Sequence, residues 1–145
     1  MLKLYLILIG IMCIGCSQME RPIVYGVDSC NYCKMTIVDA KFAAQLVTTK
    51  GKIYTYDAIE CLINQLHEHS PENIHKMVVH SFDSPDDWIT VTQGKYAIHP
   101  DIQSPMGANL ACFNKDATAE NLFNIPKEAL LSWEEIKLKT FKLEH

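Results

Sequence analysis

The chain has 145 residues, 48% of them hydrophobic, with 13 lysines and arginines against 17 aspartates and glutamates and a net charge of -4. That balance excludes a disordered or collagen-like polymer and fits one globular unit or two small modules sharing a core. It lacks the basic surplus that binding to phosphate backbones requires, so nucleic acid is excluded as a partner.

Lys3 precedes an apolar run over residues 4–14 that ends in Gly15 and Cys16. The run is too short to span a bilayer as a stop-transfer helix and reads as a secretory leader over residues 1–15. The segment Cys13-Ile14-Gly15-Cys16 resembles a bacterial lipobox, with Gly15 before the cleavage point, Cys16 as the acylated residue and Cys13 where Leu is usual. Acylation by two or more chains anchors a protein stably, since each buried methylene contributes ~0.8 kcal/mol. The expected location is the cell envelope, lipid-anchored and facing the periplasm or exterior, and Ser17 permits the outer membrane. A secreted protein cut nearby and an uncleaved anchor are the alternatives. Residues 16–26, with Pro22 and few periodic apolar positions, read as a lipidated tether.

Two strands are expected over residues 34–38 and 42–49, and the Lys50-Gly51-Lys52 turn gives the second a hairpin partner at 53–56. Asp57 with Glu60 forms a capping-box pattern, and Ile59, Leu62, Ile63 and Leu66 fall at i, i+3, i+4 and i+7. A helix therefore runs to about residue 69, where Ser70-Pro71 stops it. Residues 77–82 read as a strand and 83–87 as an acidic loop. The order strand, strand, helix, strand recurs weakly, with strands at 95–99 and 109–113, a short helix at 117–123 and a strand at 129–131. Ser132 and Glu135 open a final amphipathic helix that turns Trp133, Ile136 and Phe141 inward. The modules are thus 27–87 and 88–145.

Six cysteines resolve into Cys13 in the leader, Cys16 at the acylation point, and Cys30, Cys33, Cys61 and Cys112 in the folded part. In an exported protein the default for such an even set is disulfides. The stretch Cys30-Asn31-Tyr32-Cys33-Lys34-Met35 offers another reading. Two thiols three residues apart approach one ion from a turn, and strand alternation then points Cys33 and Met35 to the same face. Thiolates plus a thioether form a soft donor set that favours Cu(I), whereas a disulfide or half a zinc knuckle with a core Met35 is the structural alternative. Met106, in Ser104-Pro105-Met106-Gly107, is by itself either an apolar plug or a second soft donor. Cys61 lies opposite the apolar stripe of its helix. It is either covered by the second module, paired with Cys112, or an alternative thiol near the metal. Cys112 sits in an apolar run and reads as buried and structural. His67, His69, His75, His80 and His99 form no ligand-spaced pair. No nucleophile elbow, phosphate loop, catalytic carboxylate pair or zinc-protease motif is present, so no enzyme is expected.

Taken together, Cys30-x-x-Cys33-x-Met35, the Tyr56-Asp57 helix start, Trp88-Ile89, and Ser104-Pro105-Met106-Gly107 leading into Asn109-Leu110-Ala111-Cys112-Phe113 resemble the NosL family, lipoproteins accessory to nitrous oxide reductase. The resemblance spans nearly the whole mature chain. It implies an α+β fold of two small ββαβ modules, treble-clef-like and packed together. It also implies a copper chaperone that carries Cu(I) for the reductase's copper-sulfide centre, with Cys30, Cys33 and Met35 as first-rank ligands and Met106 as a further one. The implied partner is a copper-accepting protein, nitrous oxide reductase or its membrane maturation complex. The family often has Gly between the second Cys and Met, where this chain has Lys34, and its motif assigns no role to Cys61 or Cys112. Rival readings are a dithiol-disulfide oxidoreductase, opposed by a strand rather than a helix after Cys33, and a module stapled by zinc or disulfides.

Overall fold

Gly51, at φ 80°, closes a tight turn in which its N–H donates to the Thr48 carbonyl, and this folds β1 (Ala44–Thr48) back on β2 (Ile53–Tyr56). The structure, a computed structural model, describes residues 19–66 and 71–142. The pairing runs from Ala44 opposite Tyr56 to Val47 opposite Ile53. β1 also pairs antiparallel with β3 (Ile74–Ser81), and β3 with β4 (Ser84–Thr90), giving one sheet in the order β2-β1-β3-β4. β2 and β3 are therefore parallel and need a crossover, which α1 (Ile59–Gln65) supplies.

The expected stripe explains one side of α1, since Ile59, Leu62 and Ile63 are fully buried, each worth ~1.5–3 kcal/mol. Every other residue of α1 is buried too, because the helix is covered on all sides. The expected capping box is not used. The helix starts one residue later, with Ala58 as N-cap, and both carboxylates are engaged elsewhere. The expected extension to about residue 69 runs into positions 67–70, which lie outside the described residues, as do Cys13, Cys16 and Ser17.

The second unit pairs β5 (Lys95–Ile98) with β6 (Leu110–Phe113), followed by α2 (Asp116–Phe123). Leu131 then exchanges two backbone hydrogen bonds with Tyr96, of 2.9 and 2.8 Å, and so supplies a single bridge in place of the strand expected at 129–131. The Glu135 carboxylate accepts from the Ser132 N–H and hydroxyl, opening α3 (Trp133–Ile136), one turn long, with Trp133 and Ile136 buried as expected. The architecture is α+β. One core cluster holds Ile59, Leu62 and Ile63 together with Leu110, Trp133 and Ile136, so the two units share it.

Other expectations change. The acidic loop at 83–87 is mostly β4, an edge strand whose exposed Asp86 and Asp87 and early Pro85 suit a strand paired on one side only. The boundary at 87/88 therefore falls inside β4. The tether expected over 16–26 is pinned from residue 20 onward. The Arg21 backbone exchanges hydrogen bonds with the Gln45 amide, Arg21 pairs with Asp28, Glu20 pairs with Lys76, and Ile23 joins the core. Among the described residues no helix is long and apolar enough to cross a membrane.

Candidate metal centre

Residues 26–38 form a narrow antiparallel loop whose tip carries the first two cysteines. Cys30 N–H donates to the Met35 carbonyl and Lys34 N–H to the Cys30 carbonyl, while Ile37 N–H donates to the Asp28 carbonyl, and Ser29 bridges Thr36. Opposite pairs share a face. Asp28 and Ile37 accordingly turn inward with Cys30, and Val27 and Val38 turn outward at 72% and 66% exposure. The tip is stapled to the edge of β2 through Thr55, whose carbonyl accepts from Asn31 N–H while its own N–H donates to the Asn31 side chain. Six residues beyond Thr55, the first turn of α1 delivers Cys61.

The Sγ atoms of Cys30, Cys33 and Cys61 all lie within 4.8 Å of one another. The described cysteines are free thiols, and Cys61 meets Cys30 rather than Cys112. Cys30 and Cys61 are buried, and Cys33 is partly exposed. The Cys61 S–H donates to the Cys30 sulfur, which also accepts N–H bonds from Asp57, Cys33 and Tyr32. Together these overcome burial and hold the Cys30 thiol down at about 5. The same hydrogen bond keeps the proton on Cys61, pushing its thiol far up with help from burial, and burial raises Cys33. A thiol held low beside two that are held high makes a set that a thiophilic cation binds by displacing protons.

Lys34 sits at φ 69°, in the left-handed region, so the chain turns there and does not continue as the expected strand. Alternation between Cys33 and Met35 is broken as a result. Met35 lies across the loop from Cys30, 48% exposed at the rim, and Cys61 occupies the third place beside the two loop cysteines. Met106 is fully buried in the core cluster that contains Cys30 and Cys61.

Two buried carboxyls adjoin the thiols. Asp57, whose N–H serves Cys30, accepts from Val38 N–H, yet its Oδ1 has no hydrogen-bond partner, and burial together with the nearby Cys30 charge pushes its carboxyl up to about 6. Glu60 is buried with Oε1 accepting the Ser104 hydroxyl at 2.6 Å, and burial raises its carboxyl as well.

Comparison with known proteins supplies the lineage. The NosL family model matches residues 24–141. The chain belongs to the NosL family. Its structure is similar to the crystal structure of the copper chaperone NosL from Shewanella denitrificans, with a TM-score of 0.67, 16% identity, and coverage of 82% of this chain and 96% of that one. No protein with a curated description matches.

In this NosL chain Lys34 takes a left-handed φ of 69°, the conformation that glycine adopts at no steric cost. The residue that spacing ranked too low is Cys61. Its signal was a thiol on the polar side of an otherwise regular amphipathic helix. Among the other thiols and histidines, Cys112 is buried against Tyr96, as expected. His80 meets the Ala40 carbonyl and the Tyr25 hydroxyl through Nδ1 and lies tilted against the Trp88 ring, and it is not one of the three clustered ligands.

Proposed function

We propose that this chain is an extracytoplasmic Cu(I)-binding lipoprotein, anchored through Cys16, that acts as a copper chaperone in the maturation of nitrous oxide reductase and its copper-sulfide centre. The observation that carries the reading is the convergence of Cys30, Cys33 and Cys61 within 4.8 Å at a partly exposed tip. Met35 at the rim and Met106 in the adjoining core are the thioether donors of the proposed set. Polarisable sulfur donors favour Cu(I) over harder ions. A neutral thioether holds the ion less firmly than a thiolate, so its bond opens first when an acceptor's ligand arrives. Cu(I) is cargo and no chemical conversion is assigned. Family membership and the likeness to a copper chaperone support this role, and the reductase as client is the finer step of the proposal.

Anaerobic titration of the reduced full chain in detergent tests the metal. One Cu(I) per chain is expected, with X-ray absorption showing sulfur neighbours, and no uptake or only nitrogen and oxygen neighbours overturns it. Incorporation of labelled palmitate that vanishes in Cys16→Ala tests the anchor, and assembly of the reductase's copper-sulfide centre in cells lacking the chain tests the client. The low-lying Cys30 thiol favours one competing reading, thiol-disulfide exchange, which insulin-reduction turnover lost in Cys30→Ser would establish.

A further inference from the structure

Glu60 is a charged side chain with no solvent exposure, one residue before Cys61. Burying a carboxylate is costly unless hydrogen bonds repay it. Its side-chain hydrogen bond goes to the second unit. Oε1 accepts the Ser104 hydroxyl at 2.6 Å, while Oε2 is buried without a hydrogen-bond partner. Ser104 opens a turn in which Gly107, at φ 75°, donates its N–H to the Ser104 carbonyl at 3.0 Å, and Met106 stands at its third position. The Ser104 hydroxyl oxygen in turn accepts from Leu110 N–H at 3.4 Å, at the start of β6. One carboxylate oxygen thus holds the Met106 turn at Ser104, two residues before the methionine. It does so from the helix turn that carries the third thiol.

We propose that Glu60 is a positioning residue for the metal site: it clamps the turn over residues 104–108 so that the Met106 thioether stays registered against the sulfur cluster on α1. The inference rests on the reading of Met106 as a copper ligand and deepens it. Without the Glu60 contact the turn loses a side-chain tie to α1, and Met106 is the donor that moves. The three thiols are held by contacts that do not involve Glu60's partners, since the loop tip is stapled to Thr55 and Cys61 is fixed by the helix backbone. Loss of the clamp should therefore remove a thioether and leave the thiolates.

The test is a double-mutant cycle on the reduced full chain in detergent, with Cu(I) affinity read by competition with a chelator and the ligand count by X-ray absorption. Ser104→Ala removes the hydroxyl that Glu60 holds, and Glu60→Gln weakens the same bond, because a neutral amide oxygen is a poorer acceptor than a carboxylate. Two mild variants guard against misfolding of either. Removal of supporting hydrogen bonds around metal ligands typically costs ~10–100-fold in affinity. A loss of about tenfold is expected in each variant, together with a lower sulfur count, and Met106→Leu should add less than about threefold in those backgrounds while costing about tenfold in the unaltered chain. A cost of Met106→Leu that stays at full size in both clamp variants, with the sulfur count unchanged, overturns the clamp alone. No cost of Met106→Leu in the unaltered chain overturns the ligand reading and the clamp with it.

Discussion

Asp57→Asn should stabilise the reduced, metal-free protein at pH 8 and leave it unchanged at pH 4. The carboxyl is buried, its Oδ1 has no partner, and burial with the adjacent Cys30 charge lifts it from 3.8 to about 6. A raised carboxyl is a penalty on the ionised folded state. The folded protein holds this proton up to about 6 and the unfolded chain releases it near 3.8. Stability from the protonated form is therefore complete below 3.8 and lost as pH rises through 6. About two units at 1.36 kcal/mol each make the penalty ~3 kcal/mol, of which relaxation around the site leaves ~2–3. Asn keeps an oxygen for the Val38 N–H and carries no charge, so thermal melting followed by circular dichroism should show a rise of roughly 6–10 °C at pH 8. A destabilised variant at pH 8, or an equal gain at pH 4, would refute the reasoning.

Lys34→Gly should gain ~0.5–1 kcal/mol in urea unfolding, because relief of a left-handed non-glycine residue, ~1–2 kcal/mol, exceeds the added entropy of glycine in the unfolded chain. Copper uptake should be unchanged, and a loss of stability would show that the Lys34 ammonium bond to the Asn31 carbonyl outweighs the strain. Gly94→Ala should lose ~1–3 kcal/mol, since its new methyl would stand 2.3 Å from the Cys112 sulfur, and Cys112→Ala in the same chain should recover most of that loss. Failure of the second change to recover stability would move the clash away from Cys112.

What the sequence made legible was local. Alternation and the Lys50-Gly51-Lys52 turn placed β1 and β2, the Ile59, Leu62, Ile63 stripe placed α1, and the Ser132 and Glu135 pair placed α3, because each depends on neighbours within a few positions. Partnerships across long separations were not legible. Asp57 and Glu60 spelled a capping box, yet Val38 and Ser104, 19 and 44 positions away, took up the two carboxylates and the helix began at Ala58 without a side-chain cap. Acidic residues at 83–87 masked β4, whose strand character comes from pairing with β3 rather than from its own composition. The metal site divides in the same way. Cys30 and Cys33 announce themselves by spacing, but the left-handed backbone at Lys34 that breaks the alternation between Cys33 and Met35, and the entry into α1 that brings Cys61 beside the loop cysteines, are set by the folded chain and not by spacing.

Under the proposed copper role, the burial of the thiols sets the order of ligand exchange. An acceptor must bring its own donor atom into contact with the ion before any existing bond has fully opened. Cys30 and Cys61 are shielded on all sides, so approach is possible only past Met35, 48% exposed, and the partly exposed Cys33. Cys33 is then the thiol that changes partners during transfer, and Cys61 the one that retains the ion. Replacing each by Ser should separate the two duties. Cys61→Ser should lower equilibrium Cu(I) affinity by more than about tenfold, since a buried hydroxyl is a poor soft donor, and speed release. Cys33→Ser should slow transfer of bound Cu(I) to a chelator, measured by stopped-flow absorbance, by a larger factor than it changes affinity. Equal effects of the two substitutions on rate and on affinity would mean that burial does not order the exchange, and that the thiols act as an undifferentiated cage.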